Sequence, residues 1–295
     1  MKMTVALSYE NFNHVLAERF DGVGLVRSEY IFRSIEKYPS DDTVRQHVVP
    51  YLLDISQLTT SVVWYRTLEV DTAEANVLSG VEEIIIEPDR LLGLRGIRRS
   101  HRYPDAFRAE LRGIAEVRRV APNVGVVLPF VTYAEEVRWA KEEVDKFCPG
   151  TPLGVMIETP ASLLEIDKIL PLGVNRVQIG CNDLSSLLLA RPRTVRGPVK
   201  AEPPLVRAIE LMRNATADSG VELAVAGYLD NSLIKACQVI GVDECVIHYS
   251  DIPDVLGEEW RELLPEVGKI SDIKRKTREA IREFAEIRKV DLRIY

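Results

Sequence analysis

The sequence predicts a (β/α)8 TIM barrel, because strand and helix patterns alternate about eight times over some 250 residues. Short apolar runs that end at glycine or at polar residues are typical of buried parallel strands. Charged residues follow several of these runs directly, as expected at the carboxyl rim of a barrel. A doubly wound sheet is the alternative fold, because periodicity does not prove that a sheet closes.

Eight apolar runs are interpreted as strands. They span residues 4–8, 22–26, 61–65, 124–130, 154–157, 174–179, 222–226 and 244–247. Amphipathic stretches between them predict helices, with Pro39-Ser40-Asp41 as one helix-start signal. The clearest helical stretches lie after residue 8 through Phe20, at 104–120, at 132–147 and at 231–240.

The chain is interpreted as one barrel domain over residues 1–295, with an insertion around 70–103 between the third and fourth strands. Insertions of this length carry structure of their own or serve a function. Apolar residues at helical spacing over 271–290 predict an amphipathic C-terminal helix that docks on the barrel or on a partner subunit.

The composition narrows the class of protein. The 295 residues are 46% hydrophobic and 28% charged, with a formal charge of -7, which argues against bulk nucleic-acid binding. No apolar run approaches the roughly 18 residues that span a bilayer, and no signal-peptide core is present. The four cysteines lack CxxC spacing, which favours a reducing cytoplasm over a zinc site or a disulfide framework.

Charged and amide side chains recur at the ends of the predicted strands. They are Arg27, Arg66, Glu158, Asn182 and Asp183, with Arg95 and Arg193 available from loops. Arginine presents a planar fork of donors to carboxylate and phosphate oxygens. Glu158 and Asp183 are hard oxygen ligands suited to Mg²⁺. Together they predict a pocket for a small, multiply charged anion.

Each of these residues also has a purely structural interpretation. An arginine at a strand end is often a surface ion-pair partner. Glu158 fits a helix start, where negative charge is favoured, and Asn182-Asp183 fits a helix cap. The functional hypothesis rests on their joint recurrence at strand ends.

Six segments resemble, in order, motifs of the phosphoenolpyruvate-utilising enzymes, namely phosphoenolpyruvate synthase, pyruvate phosphate dikinase and Enzyme I of the sugar phosphotransferase system. They read GVGLVRSEYIF at 22–32, RTL at 66–68, LGLRGIR at 92–98, LPFVTYAEE at 128–136, GVMIETPA at 154–161 and IGCNDL at 179–184. The resemblance covers nearly the whole chain.

The resemblance implies a barrel that binds phosphoenolpyruvate or pyruvate. It implies that Arg27, Arg66, Arg95 and Arg193 clamp phosphate and carboxylate, that Asn182 touches the phosphate, and that Glu158 and Asp183 hold Mg²⁺. Such a site stabilises the pyruvate enolate while a phosphoryl group moves to or from its oxygen. A homodimer is also implied.

The sequence departs from the family pattern at the end of the seventh strand. The family has a cysteine there in a C-G-E motif, which exchanges a proton with the enolate carbon; Ala226 and Tyr228 replace the cysteine and the glutamate. Alanine exchanges no proton, so Cys181, His248 and Tyr228 are the candidate donors. The family's R-T-L-D-x-G-G-D-K segment reads RTLEVDTAE at 66–74.

Three functions are therefore expected. The first is a synthase-like phosphotransferase barrel that works with a separate phosphohistidine-carrier protein, because none of the four histidines lies in a phosphohistidine motif and no nucleotide-binding segment is recognised. The second is a stand-alone lyase or aldolase that acts through a pyruvate-type enolate. The third is a non-catalytic sensor of phosphoenolpyruvate or another 2-oxo acid.

Overall fold

A closed barrel of eight parallel strands forms the centre of the protein in a computed structural model that describes residues 1–192 and 197–290. The strands are β1 (Lys2–Leu7), β2 (Val23–Arg27), β3 (Val63–Arg66), β4 (Val124–Leu128), β5 (Leu153–Ile157), β6 (Arg176–Gly180), β7 (Glu222–Gly227) and β8 (Glu244–His248). Strand β8 pairs with β1 from Lys2 opposite Glu244 to Ala6 opposite His248. This closing pair excludes the doubly wound sheet, and the predicted (β/α)8 barrel is confirmed.

The eight strands match the eight predicted runs, with ends that shift by at most two residues. Strand β4 ends at Leu128, two residues before the predicted end, because Pro129 has no N–H to continue the ladder. Helical segments surround the barrel. They are His14–Arg19, Ser28–Ile35, Asp41–Thr43, Val44–Val48 (π), Val49–Ser56, Thr72–Ala75, Gly96–Arg102, Pro104–Arg118, Ala134–Phe147, Pro160–Leu164, Ile166–Ile169, Leu170–Leu172 (3-10), Cys181–Leu188, Pro203–Thr216, Asn231–Ile240, Tyr249–Asp251 (3-10), Ile252–Leu256, Trp260–Leu263 and Lys269–Arg288.

Strand alternation separates two layers of packing. One set of strand side chains packs outward against the helices in the main hydrophobic core. The other set fills the barrel, where small residues such as Ala6, Ala224 and Ala226 pack with Leu25. At the amino-terminal end the filling is ionic, because the fully buried Arg176 pairs with Glu244.

The segment between β3 and β4 connects back to the barrel through ion pairs. Arg90 contacts Asp71 at 2.8 Å within the segment, and Glu74 contacts Arg33 of helix Ser28–Ile35, outside the segment, at 2.6 Å. The predicted insertion, residues 70–103, ends in helix Gly96–Arg102, which Arg95 precedes. The insertion thus returns to the barrel rim at Arg95.

Two observations concern membrane-spanning helices and disulfide bonds. Across residues 1–192 and 197–290, no helix has both the length and the apolar composition that crossing a bilayer demands. All four cysteines are buried thiols without a disulfide.

Buried Glu110 gives a pH-dependent stability that can be measured. Burial raises the pKa of Glu110 to about 8, although Tyr65 Oη and the Leu68 N–H donate to it. The folded state therefore holds this proton up to about pH 8, whereas an exposed glutamate releases it near pH 4.5. Stability from this group is present at low pH and is lost as the pH rises through about 8.

We expect the free energy of unfolding of Glu110→Gln, measured with urea, to fall less between pH 5 and pH 8 than that of the wild type. The matched control is Glu116→Gln on the same helix, because Glu116 is partly exposed and Glu110 is not. Parallel pH curves for wild type and Glu110→Gln contradict the prediction.

Candidate functional site

The strand order brings five of the predicted residues to one rim of the barrel. Arg27 and Arg66 are the last residues of β2 and β3, Glu158 follows β5, and Asn182 and Asp183 lie in the first helical turn after β6. All five line one small cavity of ≈ 30 Å³. The carboxyl ends of parallel strands meet at the same rim, which is why residues distant in sequence converge here.

Two glutamates join the arginines of this rim. Glu29 Oε1 lies 3.2 Å from Arg27 Nε and 2.6 Å from Arg66 Nη2. Burial alone would raise the pKa of Glu29, but the guanidinium groups of Arg66 and Arg27 outweigh it and lower that pKa. Glu69 in turn accepts from Arg66 Nη2 at 3.1 Å and from Arg95 Nε at 2.8 Å. The guanidinium groups are therefore held in place before any ligand binds.

Arg95 reaches the rim from the insertion, not from a strand. Its Nη2 lies 3.3 Å from Asp183 Oδ2, and its guanidinium stacks 4.3 Å from the centre of the Phe130 ring. Among the described residues that line the small cavity, Arg66 is present and Arg95 is not. The structure thus places Arg95 behind the carboxylates, where its charge acts on Asp183.

Glu158 and Asp183 form a pair of buried carboxylates. Burial and the neighbouring charge of Asp183 raise the pKa of Glu158 to about 7, against the effect of Arg66. Glu158 Oε1 lies 3.9 Å from Arg66 Nη1, and Oε2 accepts the Phe130 N–H at 2.9 Å. A side chain at Gly180 would place its Cβ 2.4 Å from Glu158 Oε1, so glycine leaves the room that this carboxylate occupies.

This arrangement fits a hard divalent cation. Two adjacent carboxylates oppose each other's ionisation unless a proton or a cation lies nearby. Within the described part of the chain, no group of three histidine, cysteine, aspartate or glutamate residues suited to a metal occurs. Mg²⁺ commonly takes only one or two protein carboxylates and completes its shell with water and substrate oxygens.

The three candidate proton donors have different positions. Cys181 is fully buried in the main core, where burial raises the pKa of its thiol far above the ordinary value. It does not line the small cavity, because the helix that it begins directs it towards the core. The prediction of Cys181 as a proton donor is therefore not supported.

His248 ends β8 and lines the cavity together with Ala226. Its Nδ1 lies 3.4 Å from Asp251 Oδ2, and burial lowers the pKa of the imidazole in spite of that carboxylate. Tyr228 instead donates its hydroxyl to Asp254 at 2.8 Å, which raises the pKa of the phenol to about 12. Of the three, His248 is the one that the described lining of the small cavity includes.

A larger cavity of ≈ 1010 Å³ adjoins the small one and shares Arg27, Asn182 and His248 with it. The small cavity alone is too narrow for a phosphorylated three-carbon acid, so such a ligand also needs the space at this junction. Arg193, predicted as a fourth clamp, lies outside the described residues.

Sequence reasoning assigned no role to Glu29, Glu69 or Asp251. Glu29 lies two residues after Arg27 in the first quoted motif, so its position was visible although its partners were not. Asp251 contacts His248 three residues before it, whereas Glu69 contacts both the nearby Arg66 and the distant Arg95. No local pattern would have revealed Glu69 as the bridge to Arg95.

Known proteins resemble this chain in sequence and in fold. The family model described as PEP-utilising enzyme, PEP-binding domain matches residues 3–258. A probable phosphoenolpyruvate synthase of Archaeoglobus fulgidus is 33% identical over 225 residues, which is 70% of this chain and 30% of that protein. The phosphoenolpyruvate synthase of Pyrococcus furiosus is 31% identical over 242 residues, 76% of this chain and 30% of that protein.

The chain therefore spans about 30% of the length of these curated relatives. A solved HpcH/HpaI aldolase/citrate lyase family protein from Burkholderia cenocepacia superposes with a TM-score of 0.51 at 12% identity, over 96% of this chain and 94% of that one. At that identity the likeness concerns the fold alone. By its family-model match and its relatives, the chain belongs to the PEP-utilising enzymes, and residues 3–258 are a PEP-binding domain of that family.

Proposed function

We propose that this barrel binds phosphoenolpyruvate or pyruvate together with Mg²⁺ as a synthase-like phosphotransferase domain. The observation that carries the proposal is the meeting of Arg27, Arg66, Glu158 and Asp183 around one cavity at the carboxyl rim. Arginines bind the oxygens of an anionic ligand, whereas paired carboxylates alone would repel it. A site that contains both groups is suited to an anion that arrives with a cation.

Each residue has a proposed task. Arg27 and Arg66 donate to phosphate and carboxylate oxygens, and Asn182 contributes its amide. Glu158 and Asp183 would hold Mg²⁺, which when bound supplies positive charge next to an enolate oxygen. Arg95 keeps Asp183 oriented from behind. Neutral His248, held by Asp251, is the proposed proton carrier at the enolate carbon.

The phosphoryl partner is a proposed phosphohistidine carrier, on a separate protein or elsewhere in a longer one. A homodimer and a cytoplasmic location are proposed on the same family grounds, and the four buried free thiols support a reducing compartment.

The test is a calorimetric titration of phosphoenolpyruvate with and without Mg²⁺. We expect Mg²⁺ to tighten binding in the wild type, and we expect Asp183→Asn to reduce that gain by about tenfold to hundredfold, because an amide is a neutral and weaker ligand. Asp243→Asn is the matched control, since Asp243 lies before β8 at the opposite end of the barrel. Equal Mg²⁺ effects in Asp183→Asn and the wild type contradict the metal assignment.

Ala226 favours two alternative functions. This residue lines the small cavity where the family places a proton-transferring cysteine. A lyase or aldolase that attacks a carbonyl with the enolate needs no such thiol, and a phosphoenolpyruvate or 2-oxo acid sensor needs no chemistry at all. Deuterium exchange into the methyl group of pyruvate in D₂O separates the two, because a lyase enolises pyruvate and a sensor only binds it.

Ala226→Cys should create or accelerate this exchange by at least about tenfold, because a thiol then lies in the cavity as a general acid and base. Ala226→Ser is the matched control, since a hydroxyl of similar size is a far weaker acid. Methyl exchange is followed by NMR with Mg²⁺ present. Equal exchange rates for the cysteine and serine variants contradict the placement of Ala226 beside the enolate carbon.

A further inference from the structure

The larger cavity extends well beyond the space that a three-carbon acid needs. Its volume of ≈ 1010 Å³ reaches the upper end of ligand pockets, which run from about 300 to about 1,000 Å³. It opens from the same Arg27, Asn182 and His248 that line the small cavity. A ligand held at the barrel rim can therefore extend into it.

One wall of this cavity comes from the C-terminal helix Lys269–Arg288, which lies beyond the residues 3–258 matched by the family model. Ile270 and Ile273 of the helix pack on the buried ring of Tyr30. The Arg27 guanidinium lies 4.5 Å from the centre of the same ring. The helix is thus anchored next to a rim arginine.

The helix presents cations to the cavity at a spacing of four residues. Lys274 and Arg278 line the cavity, as expected for positions i and i+4 on one helical face. Among the described residues, neither lies within ion-pair distance of a carboxylate. Arg275, the next residue after Lys274, points elsewhere and pairs with Glu279 at 3.1 Å.

The other charged residues that line the larger cavity do not neutralise Lys274 and Arg278. Glu202 pairs with Arg191 at 2.6 Å, and Asp251 faces His248 at 3.4 Å. Lys200 adds a further positive charge to the described lining. The described lining holds more cations than carboxylates, namely Arg27, Arg191, Lys200, Lys274 and Arg278 against Glu202 and Asp251, which favours an anionic group of the ligand.

We propose that Lys274 and Arg278 form a second anion subsite, which binds the far carboxylate of a 2-oxo dicarboxylic acid whose 2-oxo acid end lies at the barrel rim. The inference rests on the proposed function, since the rim residues hold the first end. It assigns the C-terminal helix to the binding of the ligand and extends the substrate class from pyruvate to longer, doubly anionic acids.

The test compares probes that differ only in the far group. 2-Oxoglutarate is measured against 2-oxopentanoate, and 2-oxoadipate against 2-oxohexanoate, so that two chain lengths are covered. Calorimetry with Mg²⁺ gives the affinity ratio of each pair. We expect at least one dicarboxylate to bind about tenfold more tightly than its methyl analogue, with the ratio falling at high salt.

The variant Lys274→Gln/Arg278→Gln keeps helix propensity and much of the side-chain length but removes both charges. We expect its ratio to fall to about two or less, while Arg275→Gln keeps the wild-type ratio. A ratio near one in the wild type for both pairs overturns the subsite, as does a ratio that the double variant leaves unchanged.

Phosphoenolpyruvate titrated under the same conditions reports separately on the proposed function. If phosphoenolpyruvate fails to bind while a dicarboxylate binds through Lys274 and Arg278, the proposed function fails and the subsite stands. If phosphoenolpyruvate binds and both ratios are near one, the subsite fails and the proposed function stands. Absence of binding by every probe overturns both.

Discussion

Arg66→Ala should weaken phosphoenolpyruvate binding by about 2–5 kcal/mol, because it removes a buried charge that would grip anionic oxygens. Arg66 is 4% exposed and is held by Glu29 and Glu69 at the cavity wall. Its loss also leaves two buried carboxylates without their shared cation, so the ligand meets a more negative site. Isothermal titration with Mg²⁺ present measures the change.

Arg66→Lys separates charge from geometry. Lysine keeps the cation, but it lacks the second terminal nitrogen with which the guanidinium faces Glu158 while Nη2 donates to Glu29 and Glu69. We expect an intermediate loss of affinity for this variant. Affinities must be measured where each variant remains folded, since Arg66→Ala also lowers stability. Wild-type affinity in folded Arg66→Ala would remove Arg66 from the site.

Arg176→Ala should lower the free energy of unfolding by about 3–5 kcal/mol, because it leaves an uncompensated buried charge inside the barrel. Arg176 is fully buried, donates to Glu244 Oε1 at 2.7 Å and to Glu222 at 2.6 Å, and lies 5.2 Å from the Trp64 ring. Glu244 would keep only Thr4 as a hydrogen-bond donor at 2.6 Å among these groups. Urea unfolding measures the loss.

Arg213→Ala is the control for this second prediction. Arg213 pairs with Asp243 at 3.1 Å at the same end of the barrel, but both side chains are partly exposed. Its removal should cost only about 0–1 kcal/mol. Folded Arg176→Ala also serves as the buried-arginine control for Arg66, with affinity close to wild type. Equal losses of stability in Arg176→Ala and Arg213→Ala contradict the prediction.

The sequence identified residues at the rim better than it identified their contacts. Arg27, Arg66, Glu158 and Asp183 follow directly from the ends of apolar runs, because a strand end is a local feature. Arg95 was predicted as part of the ligand clamp, which stays a prediction, but its contacts with Asp183 and Glu69 were not visible in the sequence. The loop that carries Arg95 has no periodicity from which its path could be read.

Cys181 and His248 show the same limit. Both lie at the end of a strand in sequence, yet Cys181 is in the core and His248 lines the cavity. The turn that follows each strand sets the direction of the side chain, and a strand pattern does not describe that turn. Lys274 and Arg278 belong to a predicted amphipathic helix. The sequence does not show that its polar face borders the larger cavity, because this follows from the docking of the helix beside Tyr30.

By itself, the sequence determined the order of strands and helices, the family, and the charged residues that a parallel barrel carries to one rim. These depend on local periodicity and on motifs, both of which are visible in the sequence itself. Only the tertiary structure decided that β8 closes on β1, that Glu29 and Glu69 link the arginines, and that the last helix lines the larger cavity. Those contacts join residues far apart in the chain, and they stabilise the protein only once the barrel has closed.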